Sequence, residues 1–294
     1  MTYSELYERG RSLLSLSGVR EAELDARLLL EAACHTSIVD LHTHSDRKVT
    51  EKEQEHYMAA LAKRRQRIPL QLILGSQDFM GLTFSLTPGV LIPRQDTEIV
   101  VEEAMRNLHD GMRILDVGCG SGCILLSLLH YSNDCIGVGV DLSETALELS
   151  MKNAEELGIR AKRVDHWDSK MHEDAQAVFM ISDLCANVEG PFDVIISNPP
   201  YIPTAEIETL DPEVKDFDPK LALDGGEDGL DLYRRLVPEA FELLRSGGHI
   251  YLEIGYNQGE AVEGLLRETG FEEVWIVKDY AGKDRVVQGE KFTV

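Results

Sequence analysis

What this chain of 294 residues lacks is informative. No apolar run approaches the ~20 residues that a membrane-spanning helix needs, so no membrane segment is expected. Met1-Thr2-Tyr3-Ser4-Glu5 has neither a basic stretch nor an apolar one, so no signal peptide is expected. Cysteine is scarce, five residues at positions 34, 119, 123, 135 and 185, with no Cys-x-x-Cys pair and no zinc spacing. That argues against a disulfide framework or a metal, and for reduced thiols in a cytoplasmic protein. Positive charge is short as well: 29 Lys and Arg against 52 Asp and Glu leave a formal charge of −23. Such a chain gains nothing from counterion release, so no direct nucleic-acid partner is expected, whereas a basic protein can be steered to it. Lys63-Arg64-Arg65-Gln66-Arg67 is the local exception.

Taken in order, residues 1–72 read as a small helical domain. Leu6, Leu13, Leu14 and then Leu24, Leu28, Leu29 recur at helical spacing, and Thr50-Glu51-Lys52-Glu53 has the form of a capping box opening a helix to about Arg67. His42-Thr43-His44 with Asp46 lacks further ligands at metal spacing and reads as a solvated loop. Residues 73–93 form a linker, with Gln77–Leu86 alternating about Gly81 as a hairpin. In Leu91-Ile92-Pro93-Arg94-Gln95-Asp96-Thr97-Glu98, Asp96 or Thr97 can cap a helix over 98–108. The alternative reading puts Arg94, Thr97 and Glu98 at the rim of a site. Residues 94–294 then alternate strand and helix, with strands expected at 113–117, 135–140, 160–164 and 192–197 and later at 249–254, 274–278 and 285–289. This rhythm predicts an α/β doubly wound parallel sheet. Gly247-Gly248 and Gly270 are expected at helix ends.

Chemistry concentrates in two places. After the first strand of this domain, Gly118-Cys119-Gly120-Ser121-Gly122 opens a helix, and its spacing departs from the dinucleotide pattern Gly-x-Gly-x-x-Gly. Asp116 precedes the loop, and Asp141 ends the second strand, where a carboxylate can accept both ribose hydroxyls. Acid-x-Gly-x-Gly-x-Gly with a strand-two acid fits S-adenosylmethionine better than NAD, because Asp116 can approach the ammonium of an amino-acid tail. Trp167, after the third strand, either offers a surface for adenine or is plain core. The apolar strand 192–197 then ends in Asn198-Pro199-Pro200-Tyr201. Two prolines hold an extended backbone without N–H groups, Asn198 adds a side-chain acceptor and Tyr201 a flat ring. Acceptors beside a ring suit a planar NH₂ group, either a carboxamide or the exocyclic amine of a base. Two accepted N–H bonds localise the nitrogen lone pair and aim it at a methyl donor.

Together these motifs resemble the bacterial release-factor glutamine methyltransferases. The resemblance runs nearly the full length, through Ile92-Pro93-Arg94-x-Asp96-Thr97-Glu98, Asp116–Gly122, Asn198-Pro199-Pro200-Tyr201-Ile202-Pro203, Phe217-Asp218-Pro219, Ala222-Leu223-Asp224-Gly225-Gly226-x-Asp228-Gly229 and Ala281-Gly282-Lys283-Asp284-Arg285. It implies a Rossmann-like S-adenosylmethionine-dependent methyltransferase sheet, joined by a β-hairpin to an N-terminal helical domain that helps grip the release factor. It implies methyl transfer to the side-chain amide nitrogen (N5) of the glutamine in a Gly-Gly-Gln motif, with S-adenosylhomocysteine as product and a monomeric, cytoplasmic enzyme. Gly118, Cys119, Gly120, Ser121, Gly122, Asp141, Trp167 and Asn198 would hold the cofactor, and Asn198, Pro199, Pro200 and Tyr201 the glutamine amide. Gln95-Asp96 replaces the usual Pro-Glu, and the stretch 168–190 is longer than the family pattern. The competing readings are a glutamine methyltransferase acting on a ribosomal protein and a nucleic-acid adenine methyltransferase. Two others are a cofactor-binding module that scaffolds a partner without catalysis, which the intact Asn198-Pro199-Pro200-Tyr201 disfavours, and an NAD oxidoreductase, which the glycine spacing disfavours.

Overall fold

The computed structural model describes residues 1–167 and 174–292. The chain forms two compact units, one of Met1–Ser76 with Asp211–Phe217, the other of Gln77–Leu210 and Asp218–Val294.

The first unit is helical: α1 (Tyr3–Leu16), α2 (Ala22–Cys34), α3 (Ile38–Thr43), α4 (Glu51–Arg65) and α5 (Leu70–Leu74). Thr2 and Thr50 cap α1 and α4, and Glu5 and Glu53 return the bond to the cap amides, so both capping boxes are closed. Leu6, Leu14, Leu29, Leu30, Tyr57 and Leu61 fill the core. Two arginines of the basic stretch are taken up internally, while Lys63 and Arg65 stay exposed. Arg64 is buried, with Nε 2.6 Å from Asp25 and Nη2 2.9 Å from Glu213, and Arg67 reaches the same Glu213 at 2.5 Å. Glu213 lies on a later turn of helix, α9 (Pro212–Lys215), that belongs to this unit. His42 and His44 lie at the end of α3, and among the described residues no group of His, Cys, Asp or Glu gathers as a metal site.

The second unit opens with the hairpin β1 (Ser76–Phe79) and β2 (Leu82–Ser85). There follow α6 (Glu98–Asn107), β3 (Arg113–Val117), α7 (Cys123–Tyr131), β4 (Ile136–Asp141), α8 (Glu144–Glu156), β5 (Ala161–Arg163), β6 (Ala177–Ile181) and β7 (Phe192–Ser197). The chain ends with α10 (Asp231–Leu243), β8 (Leu244–Glu253), α11 (Gly259–Thr269), β9 (Phe271–Lys278) and β10 (Asp284–Lys291). The sheet order is β5-β6-β4-β3-β7-β8-β10-β9, parallel through β8, with β10 antiparallel to both β8 and β9. Helices cover both faces. Leu115, Val138 and Ile195 pack with Tyr233 and Leu236 on one side, and Ile114, Val194 and Ile196 with Val100 and Leu125 on the other. Burial on both faces is why these strands read as continuous apolar runs. The chain leaves β3 toward β4 on one side and returns in β7 on the other, so a crevice opens at their carboxyl ends.

Three expectations need correction. The run Ala177-Val178-Phe179-Met180-Ile181 is a central strand, β6, beside β4, and the stretch expected as the third strand lies outside it at the sheet edge. No helical pattern separates β5 from β6, so the strand–helix rhythm gave no marker; residues 168–173 lie outside the described residues. Gly247 (φ 76°) sits within β8 and not at a helix end, and Gly248 pairs with Lys291, while Gly270 does close α11 in the left-handed region. The last two strands run antiparallel to their neighbours.

Candidate active site

At the crevice lies a cavity of about 400 Å³, a size that takes a small-molecule ligand. Its floor is the loop between β3 and α7. Gly118, Gly120 and Gly122 all adopt positive φ (76°, 55° and 78°), a path closed to most side chains. The loop is held from the sheet and from α8. Gly118 and Cys119 donate their amides to Val140 O at 2.8 and 2.9 Å. Ser150 Oγ donates to Gly120 O at 2.9 Å and Asn153 Nδ2 to Ser121 O at 2.9 Å. Asp141 completes the frame, accepting from the Gly120 amide on one oxygen and the Ser143 amide on the other. Burial pushes its carboxyl up, and these amides oppose the rise. Burial also drives the Cys119 and Cys123 thiols upward, Cys123 to about 12, so neither is a thiolate nucleophile at neutral pH.

Opposite the loop stands the end of β7. Asn198, Pro199 and Pro200 line the cavity, as do Arg94, Thr97, Asp141 and Leu142. The Asn198 Nδ2 donates to Thr97 Oγ1 at 3.3 Å, which leaves the carbonyl end of that amide turned away from Thr97. Thr97 stands at the start of α6 without making a side-chain cap bond, so capping is not its role there. Arg94 is paired with Asp218, whereas Glu98 accepts from the Met80 amide in the hairpin turn and does not line the cavity.

The run Ala222–Gly229 has a direct structural purpose. Ile202 N donates to Leu223 O and Gly225 N returns to Ile202 O, at 3.0 and 2.9 Å, while Thr204 N donates to Gly226 O at 2.8 Å. Gln258 Nε2 donates to Tyr201 O at 2.9 Å and Gly229 O at 3.2 Å. A Cβ at Gly225 would come within 2.8 Å of Pro200 O, and one at Gly229 within 2.3 Å of Tyr201 O. These glycines let a second backbone lie flat against Pro200–Pro203.

The structure brings together Gly118, Cys119, Gly120, Ser121, Asp141, Asn198, Pro199 and Pro200 at one cavity. Gly122 supports the loop from behind, against Leu126 and Ser150. Asp116 does not reach the cavity wall. It is fully buried under the loop, with Oδ2 accepting from Leu125 N at 3.3 Å, so it is not positioned to meet a ligand ammonium. Tyr201 turns its hydroxyl to Glu253 Oε1 at 3.3 Å and presents no flat face to the cavity. Trp167 is also displaced: it is buried in the core, stacked on Phe192 at 6.4 Å. The reason is the missed strand. The carboxyl end neighbouring β4 is that of β6, so Ser182, Asp183 and Leu184 line the cavity. The signal was present in the five-residue apolar run before Ser182-Asp183-Leu184. Thr97 and Glu253 are further residues of this neighbourhood, the first left between two readings and the second not singled out.

A glycine loop and a strand-end acid, facing Asn-Pro-Pro across the switch point of a mostly parallel sheet, define a methyltransferase. The Methyltransferase domain family model matches residues 108–274, and the PrmC N-terminal domain model matches residues 5–75. The fold is that of a methyltransferase from Pyrococcus furiosus (TM-score 0.52, 19% identity, covering 72% of this chain and 90% of that one). The release factor glutamine methyltransferase of Geobacter sulfurreducens is 41% identical over 98% of this chain and 96% of its own length. That of Rhodospirillum rubrum is 40% identical over 97% and 84%. The chain belongs to the release factor glutamine methyltransferase family.

Proposed function

We infer that this protein methylates the side-chain amide nitrogen of the glutamine in the Gly-Gly-Gln motif of a peptide chain release factor, using S-adenosylmethionine. The observation that carries the reading is the Asn198 carboxamide at the cavity wall, tied by its NH₂ to Thr97, so that its oxygen is the end on offer to a ligand. The cavity chemistry fits the cofactor: an acid at a strand end for the ribose, Leu142 and Ser182–Leu184 for the adenine, and a loop without β-carbons for the amino-acid tail. When bound, S-adenosylmethionine supplies an electrophilic methyl group. Gly118–Ser121 and Asp141 would hold it. Asn198 Oδ1 and the Pro199 carbonyl accept the two N–H bonds of the substrate amide. An amide nitrogen is a poor nucleophile because its lone pair is delocalised into the carbonyl. Accepting both N–H bonds draws charge back to nitrogen and fixes its direction, which is electrostatic preorganisation with no covalent enzyme intermediate. The substrate nitrogen would take the methyl group as its bond to sulfur breaks, with the bonding pair staying on sulfur as S-adenosylhomocysteine, and would give up one proton to solvent. The helical unit and the acidic surface charge suit a grip on the release factor.

The deciding experiment is mass spectrometry of a release factor incubated with the protein and S-adenosylmethionine. A gain of one methyl group on the Gly-Gly-Gln glutamine is expected. Transfer only to a ribosomal protein would change the substrate, and transfer to no glutamine would overturn the reading.

A further inference from the structure

Asn198 and Tyr201 are the two polar ends of Asn-Pro-Pro-Tyr, and both are engaged from behind. Asn198 Nδ2 donates to Thr97 Oγ1, and Tyr201 Oη donates to Glu253 Oε1, each at 3.3 Å. Thr97 and Glu253 are only 3% and 2% exposed, so solvent does not compete for these bonds. The Thr97 hydroxyl faces the same Glu253 carboxyl, and helps, with Arg285 and Tyr201, to counter the rise that burial imposes on it. Glu253 Oε2 is buried and makes no hydrogen bond in the structure, so it is an acceptor left open. Two prolines with fixed φ separate the anchored ends, so anchoring both ends fixes what lies between.

We propose that Thr97 and Glu253 are positioning residues, a two-member relay that selects which face of the Asn198 carboxamide points into the cavity. The inference rests on the reading of Asn198 as an amide acceptor. Its logic is that of the donor inventory. A threonine hydroxyl has one proton to give and lone pairs with which to accept. While Glu253 is a carboxylate it can only accept, so the Thr97 proton is directed to it. Thr97 must then accept from Asn198, whose NH₂ turns to Thr97 and whose oxygen turns to the substrate. When Glu253 is protonated it can donate to Thr97, the hydroxyl can turn its proton to Asn198, and the carboxamide is then free to present its NH₂ to the cavity. That orientation repels a substrate amide N–H. A buried polar chain of this kind has one correct direction, and each member sets the next.

The charged and titratable groups facing Glu253 are Arg285 from β10, Tyr201 after β7, Asp96 ahead of α6, Tyr233 from α10 and Cys123 from α7. Tyr233, Tyr201 and Cys123 stay neutral near neutral pH, because burial raises all three. Arg285 is ion-paired with Asp96 and Asp279. Glu253 is therefore the member whose ionisation changes near neutrality.

The test uses the full-length protein in two ways. In steady-state methylation, Thr97→Val is expected to lower kcat by roughly 10- to 100-fold with KM for S-adenosylmethionine little changed, and Thr97→Ser to recover most of that loss. In nuclear magnetic resonance of the ¹⁵N-labelled apo-protein, the Asn198 side-chain NH₂ signals are expected to titrate near neutrality in the wild type and not in Glu253→Gln. The acid limb of the kcat profile should be lost in Glu253→Gln. Wild-type kcat in Thr97→Val, or Asn198 signals that titrate equally in Glu253→Gln, would overturn the relay. Failure of the wild type to methylate any glutamine would instead overturn the functional reading, and the resonance experiment would still decide the relay.

Discussion

Arg64 Nη2 lies 2.9 Å from Glu213 Oε1, although 149 residues separate them in the chain. Glu213 also takes two bonds from Arg67, so one carboxylate ties the segment Asp211–Phe217 to α4 and the turn after it. Burial works to raise its pKa, but Arg67 and Arg64 outweigh that and hold it at about 2. Its native pKa is depressed, so its stabilisation is complete above the unfolded value of 4.5 and is lost as pH falls toward about 2. Glu213→Gln leaves two guanidinium groups short of a charge and is expected to cost about 1–3 kcal/mol near neutral pH. Urea titration measures this; an unchanged midpoint would mean that the other contacts of the segment, Arg20 with Asp211 among them, suffice to hold it.

Gly225 offers a sharper test of the run after Asn-Pro-Pro-Tyr. Its missing β-carbon leaves room for the Pro200 carbonyl, which a methyl group would meet at 2.8 Å, with Gly229 backbone on the other side. Neither neighbour is a flexible side-chain tip, so Gly225→Ala has to push the motif itself. The expected result is a fall in kcat of roughly 10-fold or more with cofactor affinity within a few-fold of wild type, since a misplacement of about 1 Å is costly to a positioned reaction. Equal losses in cofactor binding and turnover would show general damage to the unit.

Much of this was written in the chain. The glycine loop, Asp141 and the strand that ends at Asn198 were legible because each joins an apolar run to residues with backbone or acceptor properties found nowhere nearby. The capping box at Thr50 is local in sequence and equally plain. What stayed hidden depends on distant partners. Arg64 and Arg67 look like a solvated basic patch until Asp25 and Glu213 are seen beside them. Trp167 looks like an adenine platform only if the strand before it neighbours β4, and β6 takes that place. Asp116 has the right sequence position for a ligand contact, yet it lies buried under its own loop and outside the cavity lining.

Asp116 should leave its mark on stability. Burial raises its carboxyl to about 7, against the opposing Leu125 amide, and Asp141 adds to the rise. Between the unfolded value of 3.8 and about 7 the native state holds a proton that the unfolded chain releases. Stability therefore falls as pH rises through this window, by up to about 4 kcal/mol from this group alone. Asp116→Asn keeps the shape and cannot ionise, so it is expected to flatten the decline in urea midpoint between about pH 5 and about pH 8. Glu253, also raised to about 7, contributes with the same sign and should preserve part of the slope. A slope identical to wild type would show that Asp116 does not titrate in that window.

The two sides of the cavity should separate cleanly in binding and turnover. Asp141 spends one lone pair of each oxygen on a backbone amide, Gly120 at 2.9 Å and Ser143 at 2.8 Å. The remaining lone pairs face the position proposed for the ribose. Asp141→Asn turns one of those acceptors into a donor, so it must either repel an amide hydrogen of the loop or lose a ribose bond. Calorimetry should show S-adenosylhomocysteine binding weakened by roughly 10- to 100-fold, about 1.4 kcal/mol for each factor of ten. Asn198→Ala touches neither amide and leaves the loop intact. Its expected signature is the reverse: affinity within a few-fold of wild type and turnover down by about 10²- to 10³-fold, the usual loss when one preorganised electrostatic contact is removed. Undiminished affinity in Asp141→Asn would remove the ribose role from Asp141. Unchanged turnover in Asn198→Ala would remove the amide from Asn198, because a mechanism that depends on accepting two N–H bonds cannot tolerate the loss of one acceptor.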